Sequence, residues 1–454
     1  MESISAPPPD PATPAARLPS AFSGHAIKLV ILVVGWLLLT VLLGMIGGLV
    51  GEREQYRHEA EQRVAAGWGG RQIVGAPLLR LRHAPRIDKE GQAQAVPDRW
   101  LALDQASLAA TLQGETRRLG LFDVPVYTAD LQLRGELAGP RLQAALGTAE
   151  QPVVGADLLL PLSDPRGLRS AVSLQVNGTP LRLVPVTGDF NGQRLLGSEL
   201  PLALLQRGEL KLSGQFVLAG IESLQALPTA SELAFSIAGD WPDPGFASGL
   251  LPRERRVEGS GFDAQWQVFD FNTGMPPSFV DWQVDRLQLG SSLIGVSLQQ
   301  PGEVYQRNER AWKYGTLFVA LTLAAWFLIE LLLRRNLWAL DYALIGVSQV
   351  CFYLLLLALS EHIGFDWAYA VASAVFASMV GAFSVGLLGS RRRGVVAAAV
   401  LGSGYGALYL LIGSESHALL LGAILVTALI GAAMWIASRL RRGSGGQTAA
   451  AALG

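Results

Sequence analysis

From Trp312 to Arg442 the chain alternates long apolar blocks with short polar or basic turns, and no water-soluble fold accommodates that pattern. The blocks are Tyr314–Leu333, Leu337–Ser360, Trp367–Leu388, Val395–Ile412 and Ala418–Ser438. Each is about twenty residues, the length an α-helix needs to cross the hydrocarbon of a bilayer. Backbone in lipid must satisfy its own hydrogen bonds, so these blocks are predicted to be helices packed as a bundle. Arg334 and Arg335, then Arg391 to Arg393, then Arg439, Arg441 and Arg442 fall in alternate connections, which the positive-inside rule places in the cytoplasm. The intervening connections carry Glu361, His362 and Asp366, then Glu415 and His417, with no Lys or Arg, and are expected to face outward.

Ile27–Val50 is a further apolar stretch, too long for a signal-peptide core and without a small-residue cleavage site after it, so it reads as a retained anchor. Six spans with a cytoplasmic C-terminal end require a cytoplasmic N-terminal end, and everything between the first two spans is then exported. Half the residues are hydrophobic and 16% charged, with the apolar excess at the two ends of the chain, as for a membrane protein with a soluble insert. Net charge is −1 with scattered arginines, so nothing argues for nucleic acid. The sole cysteine, Cys351, lies in a predicted span, excludes an internal disulfide and reads as a small packing residue. The domains are then a disordered tail over 1–26, the first span over 27–50, the β-rich insert with its stalk over 51–312, five spans over 313–440, and a disordered tail over 441–454.

Within the insert, Glu52 to Ala66 reads as a helical stalk continuing the first span. From Ile73 to Leu298 the apolar period becomes two, as in Leu131, Leu133 and Leu137, in Leu233, Phe235 and Ile237, and in Phe262, Ala264, Trp266 and Val268. Turn signals such as Asn177-Gly178 and Asn191-Gly192 separate these runs, which predicts an antiparallel β-rich domain. Asp104 to Arg118 is the exception and reads as a helix.

No G-x-S-x-G elbow, H-E-x-x-H, C-x-x-C or P-loop occurs. The centres of the spans carry no charge, which argues against an ion-coupled transporter. Glu330 sits in the last turn of its span, one helical step before Arg334, and is expected to pair with it. The one surviving constellation is Glu361, His362, Asp366, Glu415 and His417, gathered in topology on the outer face of the bundle. These residues suit a divalent cation or a pH sensor; the simpler reading is interfacial polarity, with Arg307 and Arg310 as partners. Gly44, Gly47, Gly48 and Gly51 form small-xxx-small pairs that allow close helix approach, and Gly402, Gly404 and Gly406 give another smooth face.

Several longer motifs resemble the CreD family of inner-membrane proteins. They include Lys313-Tyr314-Gly315, Phe352-Tyr353-Leu354-Leu355-Leu356, Ser360-Glu361-His362-Ile363-Gly364-Phe365, Phe122-Asp123-Val124-Pro125-Val126-Tyr127, Asp164-Pro165-Arg166-Gly167, Trp241-Pro242 and Gly261-Phe262 with Ala264 and Trp266. Asp243-Pro244-Gly245-Phe246 stands where that family is expected to have His-Pro-Ser-Phe, and Glu415-Ser416-His417 where it has an acidic pair. The resemblance implies a six-helix bundle with a large periplasmic β domain, located in the bacterial inner membrane and tied to envelope integrity, stress response and colicin tolerance. It implies no reaction, cofactor or bound metal. Its implied partners are the bilayer and an envelope lipid, glycan or protein, with a homo-oligomer left open. A lipid-handling transporter and a membrane-surface enzyme stand as alternatives. Asp164, Arg166, Gly167, Trp241, Pro242 and Trp266 are the candidate residues of the exported domain; the first three also read as a plain turn, and the tryptophans as core or as a ligand anchor.

Overall fold

The computed structural model describes residues 20–87, 92–146, 152–246, 249–298, 304–333 and 336–414, with positions 420, 422–424, 427, 430–431 and 434. The chain divides into two compact units, Met1–Glu54 with Gly302–Gly454, and Gln55–Pro301.

The first unit is a helix bundle. Among the described residues five helices are long and apolar enough to cross a membrane: α1 (Ser20–Trp68), α2 (Val304–Leu333), α3 (Ala339–Ile363), α4 (Phe365–Leu388) and α5 (Arg391–Gly413). They cover the first five expected spans, except that α3 begins at Ala339 rather than Leu337, and α1 continues through the expected stalk without a break. Of the sixth expected span, Ala418–Ser438, positions 420, 422–424, 427, 430–431 and 434 are described and are helical, while Glu415 and His417 before it lie outside the described residues. Helix α2 starts at Val304 rather than Tyr314, its extra turns supported by a Glu309–Lys313 pair at 2.7 Å. One residue, Gly364 at φ +77°, separates α3 from α4, and Gly389 at φ +65° ends α4, both positions where a side chain would be strained. Leu43, Val319, Phe352, Leu356, Ala372 and Tyr405 form the interior, while Leu38, Met45, Trp338, Trp367 and Leu410 point outward. An apolar exterior on such a scale belongs against lipid. Cys351 is also exposed, so it does not take the packing role expected of it.

Among the described residues of the second unit all strands but Arg86–Ile87 and Ala93–Gln94 join one seventeen-stranded sheet. The hinge of that sheet is Arg99–Leu119, where sequence reading expected a helix over Asp104 to Arg118. Leu101 pairs with Leu79 and Ser278, and from Gln105 onward the strand runs beside Phe122–Leu137 through a tight hairpin at Gly120. Good helix formers yield here because Ala106, Leu108, Ala110 and Leu112 fall on one face when extended and all four are buried. Tertiary burial outweighs a propensity difference of a few tenths of a kcal/mol per residue.

One half of the sheet has eight strands in the order Glu254–Glu258, Gly261–Phe269, Ala230–Gly239, Arg99–Leu119, Phe122–Leu137, Leu210–Ile221, Ser173–Val176 and Thr179–Arg182. All its pairings are antiparallel except that of Ala230–Gly239 with Arg99–Leu119. In the other half Gln72–Gly75 also pairs parallel, with Ser223–Leu227. Leu108, Leu131, Leu133, Phe216, Leu233 and Phe235 pack with Leu79, Leu101, Leu158, Leu160 and Val296 in a single core between the halves. A second, smaller core centres on Trp100, Phe190 and Phe279, stacked at about 6 Å. Asn177-Gly178 and Asn191-Gly192 form the predicted hairpin turns, with positive φ at all four residues. Trp68, at the end of α1, is clasped by the guanidinium groups of Arg117 and Arg169, 3.9 and 4.4 Å from its ring.

Candidate functional site

At one end of the bundle Glu361 and Asp366 each acquire their own partners. Glu361, nearly buried, lies 3.6 Å from Arg53 of α1 and accepts a 3.2 Å hydrogen bond from the Tyr305 hydroxyl of α2. Asp366 accepts from Arg307 of α2 at 2.9 Å and from the Tyr409 hydroxyl of α5 at 2.8 Å. Between them the buried Asn308 donates to Ser360 at 2.9 Å, and Arg310 reaches the carbonyl of Ile412 at 3.5 Å. His362 is exposed. Among the described residues no three His, Cys, Asp or Glu side chains gather closely enough to share a metal ion. Arg307 is therefore a partner of the predicted cluster, and the arrangement is a polar belt that ties all five helices together.

A seam of polar groups, of which sequence reading singled out only Glu330, crosses the bundle along α2 and α3. At the end opposite the belt the buried Glu330 pairs with Lys28 of α1 and accepts from the Tyr342 hydroxyl at 2.6 Å. Lys28 also donates to the carbonyl of Leu337 at 2.9 Å. The partners of Glu330 thus come from α1 and α3, while Arg334, its expected partner, lies outside the described residues. Midway, Gln349 donates to Thr322 at 2.7 Å, and Tyr353 lies against Gly315, where an added Cβ would sit 2.8 Å from the ring. Gln349 Oε1 and the Tyr353 hydroxyl have no hydrogen-bond partner among the described residues. Polar pairs of this kind hold helices together in lipid. The midway groups Thr322, Gln349 and Tyr353 are uncharged and so give little hydropathy signal. Of the two predicted glycine faces, Gly47 lies beneath Trp312 and Gly404 beneath Phe318; the other glycines of those sets have open space at the position of a Cβ.

In the β domain Asp164, Arg166 and Gly167 form a turn that closes the chain on itself. Asp164 accepts from the backbone N–H of Gly70 and of Arg166 at 2.9 and 3.1 Å, and from the Arg166 guanidinium at 2.8 Å. Burial pushes its carboxyl up, but these bonds outweigh burial and hold it below the usual range. Gly167 has no room for a side chain, since a Cβ would lie 2.1 Å from the carbonyl oxygen of Ala219. Trp266 is buried, stacks on Phe235 at 5.4 Å and donates its indole N–H to the carbonyl of Leu250 at 3.0 Å, which is the core reading. Trp241 is half-buried against the same core and covers Gly114, with the exposed Pro242 after it.

The feature best suited to bind something is the solvent face of the eight-stranded half. Ser107, Ala109, Ala234 and Ser236 sit in register on two neighbouring strands and form a low floor. Gln132 and Arg134 border it on one side and Gln265 on the other, enclosing a depression of about 340 Å³. A second depression of about 240 Å³ adjoins it and is lined by Gln105, Glu136 and Glu232. Glu232 is taken up by Gln105 and Gln267, at 3.2 and 2.7 Å. Arg134 is exposed and forms no ion pair among the described residues. The signal was present in sequence as the outward half of each alternating strand, rich in Ser, Gln and Ala. Alternation identifies such a face without showing which strands adjoin.

The family model described as inner membrane protein CreD matches residues 25–441. Inner membrane protein CreD of Escherichia coli (strain K12) is 30% identical over 402 residues, covering 87% of this chain and 89% of that protein. Together with a bundle of membrane-length helices and a β domain set between the first and second of them, this likeness means that the chain belongs to the CreD family of inner-membrane proteins.

Proposed function

We propose that this protein is a non-enzymatic support of the cell envelope, contributing to its integrity and stress response, with cytoplasmic termini and its β domain in the periplasm. There the domain binds an acidic, hydrogen-bonding component of the envelope. The binding assignment is carried by the face around Arg134, where a floor of small side chains lets a flat ligand approach the backbone. Gln132 and Gln265 supply donors and acceptors, and the Arg134 guanidinium, in no ion pair among the described residues, is open to a carboxylate or phosphate. These groups bind and orient; they are not a nucleophile beside a base. The orientation is supported by Arg391, Arg392 and Arg393 at one end of the bundle and Glu361 and Asp366 at the other.

The test is binding of carboxylate-bearing peptidoglycan fragments to the full-length detergent-purified protein. Arg134→Gln should weaken binding about tenfold, and Ala234→Trp, which fills the floor, should abolish it. Equal binding by the wild type and both variants would sink the assignment to this face.

A further inference from the structure

Between α2 and α5 runs a groove of about 780 Å³, within the span of ligand cavities at roughly 300–1,000 Å³. It lies wholly within the bundle and is independent of the sheet face. The two helices touch where Phe318 lies over Gly404 and packs on Tyr405, with ring centres 4.9 Å apart. Leu321, Ala325 and Ile329 line one wall of the groove and Val396, Ala397 and Val400 the other. Its lining also includes Leu332, Leu333 and Leu388 at one end, together with Arg392 and Arg393. Arg393 donates to the carbonyl of Leu388 at 3.4 Å, and neither arginine forms an ion pair among the described residues. Arg391, in the same turn, does not line the groove.

An apolar trough along the membrane-spanning length of two helices, ending in two guanidinium groups that form no ion pair among the described residues, has the complement of one molecular shape: a long alkyl chain bearing an anion. We infer that the groove binds an anionic phospholipid, its acyl chain lying along the trough and its phosphate held by Arg392 and Arg393. A soluble anion would leave the trough unused. A zwitterionic lipid would bring its own cation to the arginines and lose the attraction that a net negative headgroup gains at a basic pocket between helices. Guanidinium suits this role because its forked donors match two phosphate oxygens at once.

The experiment is native mass spectrometry of the delipidated full-length protein titrated with phosphatidylglycerol or phosphatidylcholine of equal chain length, and separately with inorganic phosphate. Phosphatidylglycerol should bind about tenfold better than phosphatidylcholine, and inorganic phosphate should not compete. R392Q/R393Q should lower that preference to below about twofold, and Ala397→Phe should weaken both lipids by narrowing the trough. R391Q keeps the groove and should behave as wild type, so it separates a site from a generally basic turn. Equal retention of the two lipids by the wild type, or an equal loss in R391Q, overturns the proposal. So does the groove being filled by the chain itself, read in a C351A background as quantitative oxidative cross-linking of a cysteine at Leu321 to cysteines placed in turn along 418–438.

Discussion

At the scale of single residues, the two neighbours Glu361 and His362 separate cleanly. Glu361 is nearly enclosed and bonded to Arg53 and Tyr305, whereas His362 stands exposed beside it. Glu361→Ala strands an arginine and a hydroxyl and should cost the bundle about 2 kcal/mol; His362→Ala should cost under about 0.5 kcal/mol. Thermal unfolding of the two purified variants checks this, and a larger effect for His362 would contradict the geometry. Glu222 offers a test by pH. It sits at φ +58° beside Glu61 of α1, which is itself bonded to Arg57 and His58, and it pairs with Arg71. Burial, then the charge of Glu61, raises its carboxyl above the usual 4.5. A carboxyl with a raised native pKa keeps its proton longer in the folded state, so folding loses stability as pH climbs from 4.5 through the native value. Unfolding of the β domain in denaturant should therefore show a downward slope in that window, and Glu222→Gln should flatten it. Of these residues, sequence supplied Glu361 and Asp366 through their place in a turn between spans. It also offered Arg307, which does pair with Asp366, but it had no means of showing Arg53, Tyr305 and Tyr409, contributed by other helices.

At the scale of elements, the turn at Asp164 and the strand Arg99–Leu119 teach opposite lessons. Asp164-Pro165-Arg166-Gly167 was legible as a turn because proline and glycine act locally. Its weight in the fold was not, since that comes from Gly70, Gln72 and Ala219 packing onto it. Gly167→Ala should destabilise the β domain by about 3 kcal/mol through overpacking, read as a lower denaturant midpoint; an unchanged midpoint would mean that the turn yields more easily than its contacts indicate. The strand was misread because Ala106, Leu108, Ala110 and Leu112 satisfy a period of two, while Ala106 with Ala110 and Leu108 with Leu112, each four apart, also satisfy helical spacing. An alanine-rich stretch is decided by its partners, here Phe122–Leu137 and Ala230–Gly239. Trp266 shows the same limit. Its motif drew attention as a ligand anchor, and its contacts with Phe235, Phe246 and the carbonyl of Leu250 place it in the core. Trp266→Ala should cost about 4 kcal/mol and loosen the sheet face only indirectly.

At the scale of the whole molecule, hydropathy period was enough to divide the chain into membrane-length helices and a β domain, because lipid and a half-buried sheet impose different periods on sequence. It did not reveal the depression on the sheet, the polar seam or the groove, each made by residues far apart in the chain. The central claim is that the β domain works outside the cytoplasm on an inner-membrane anchor, and it is tested most directly by side-specific labelling. In a C351A background, single cysteines replace Gln132 on the sheet face or Arg391 in the turn between α4 and α5, and cells with a permeabilised outer membrane meet a membrane-impermeant maleimide. The account predicts that the cysteine at position 132 is labelled in intact cells and the one at 391 only after lysis. The reverse pattern, or labelling of both before lysis, would contradict it.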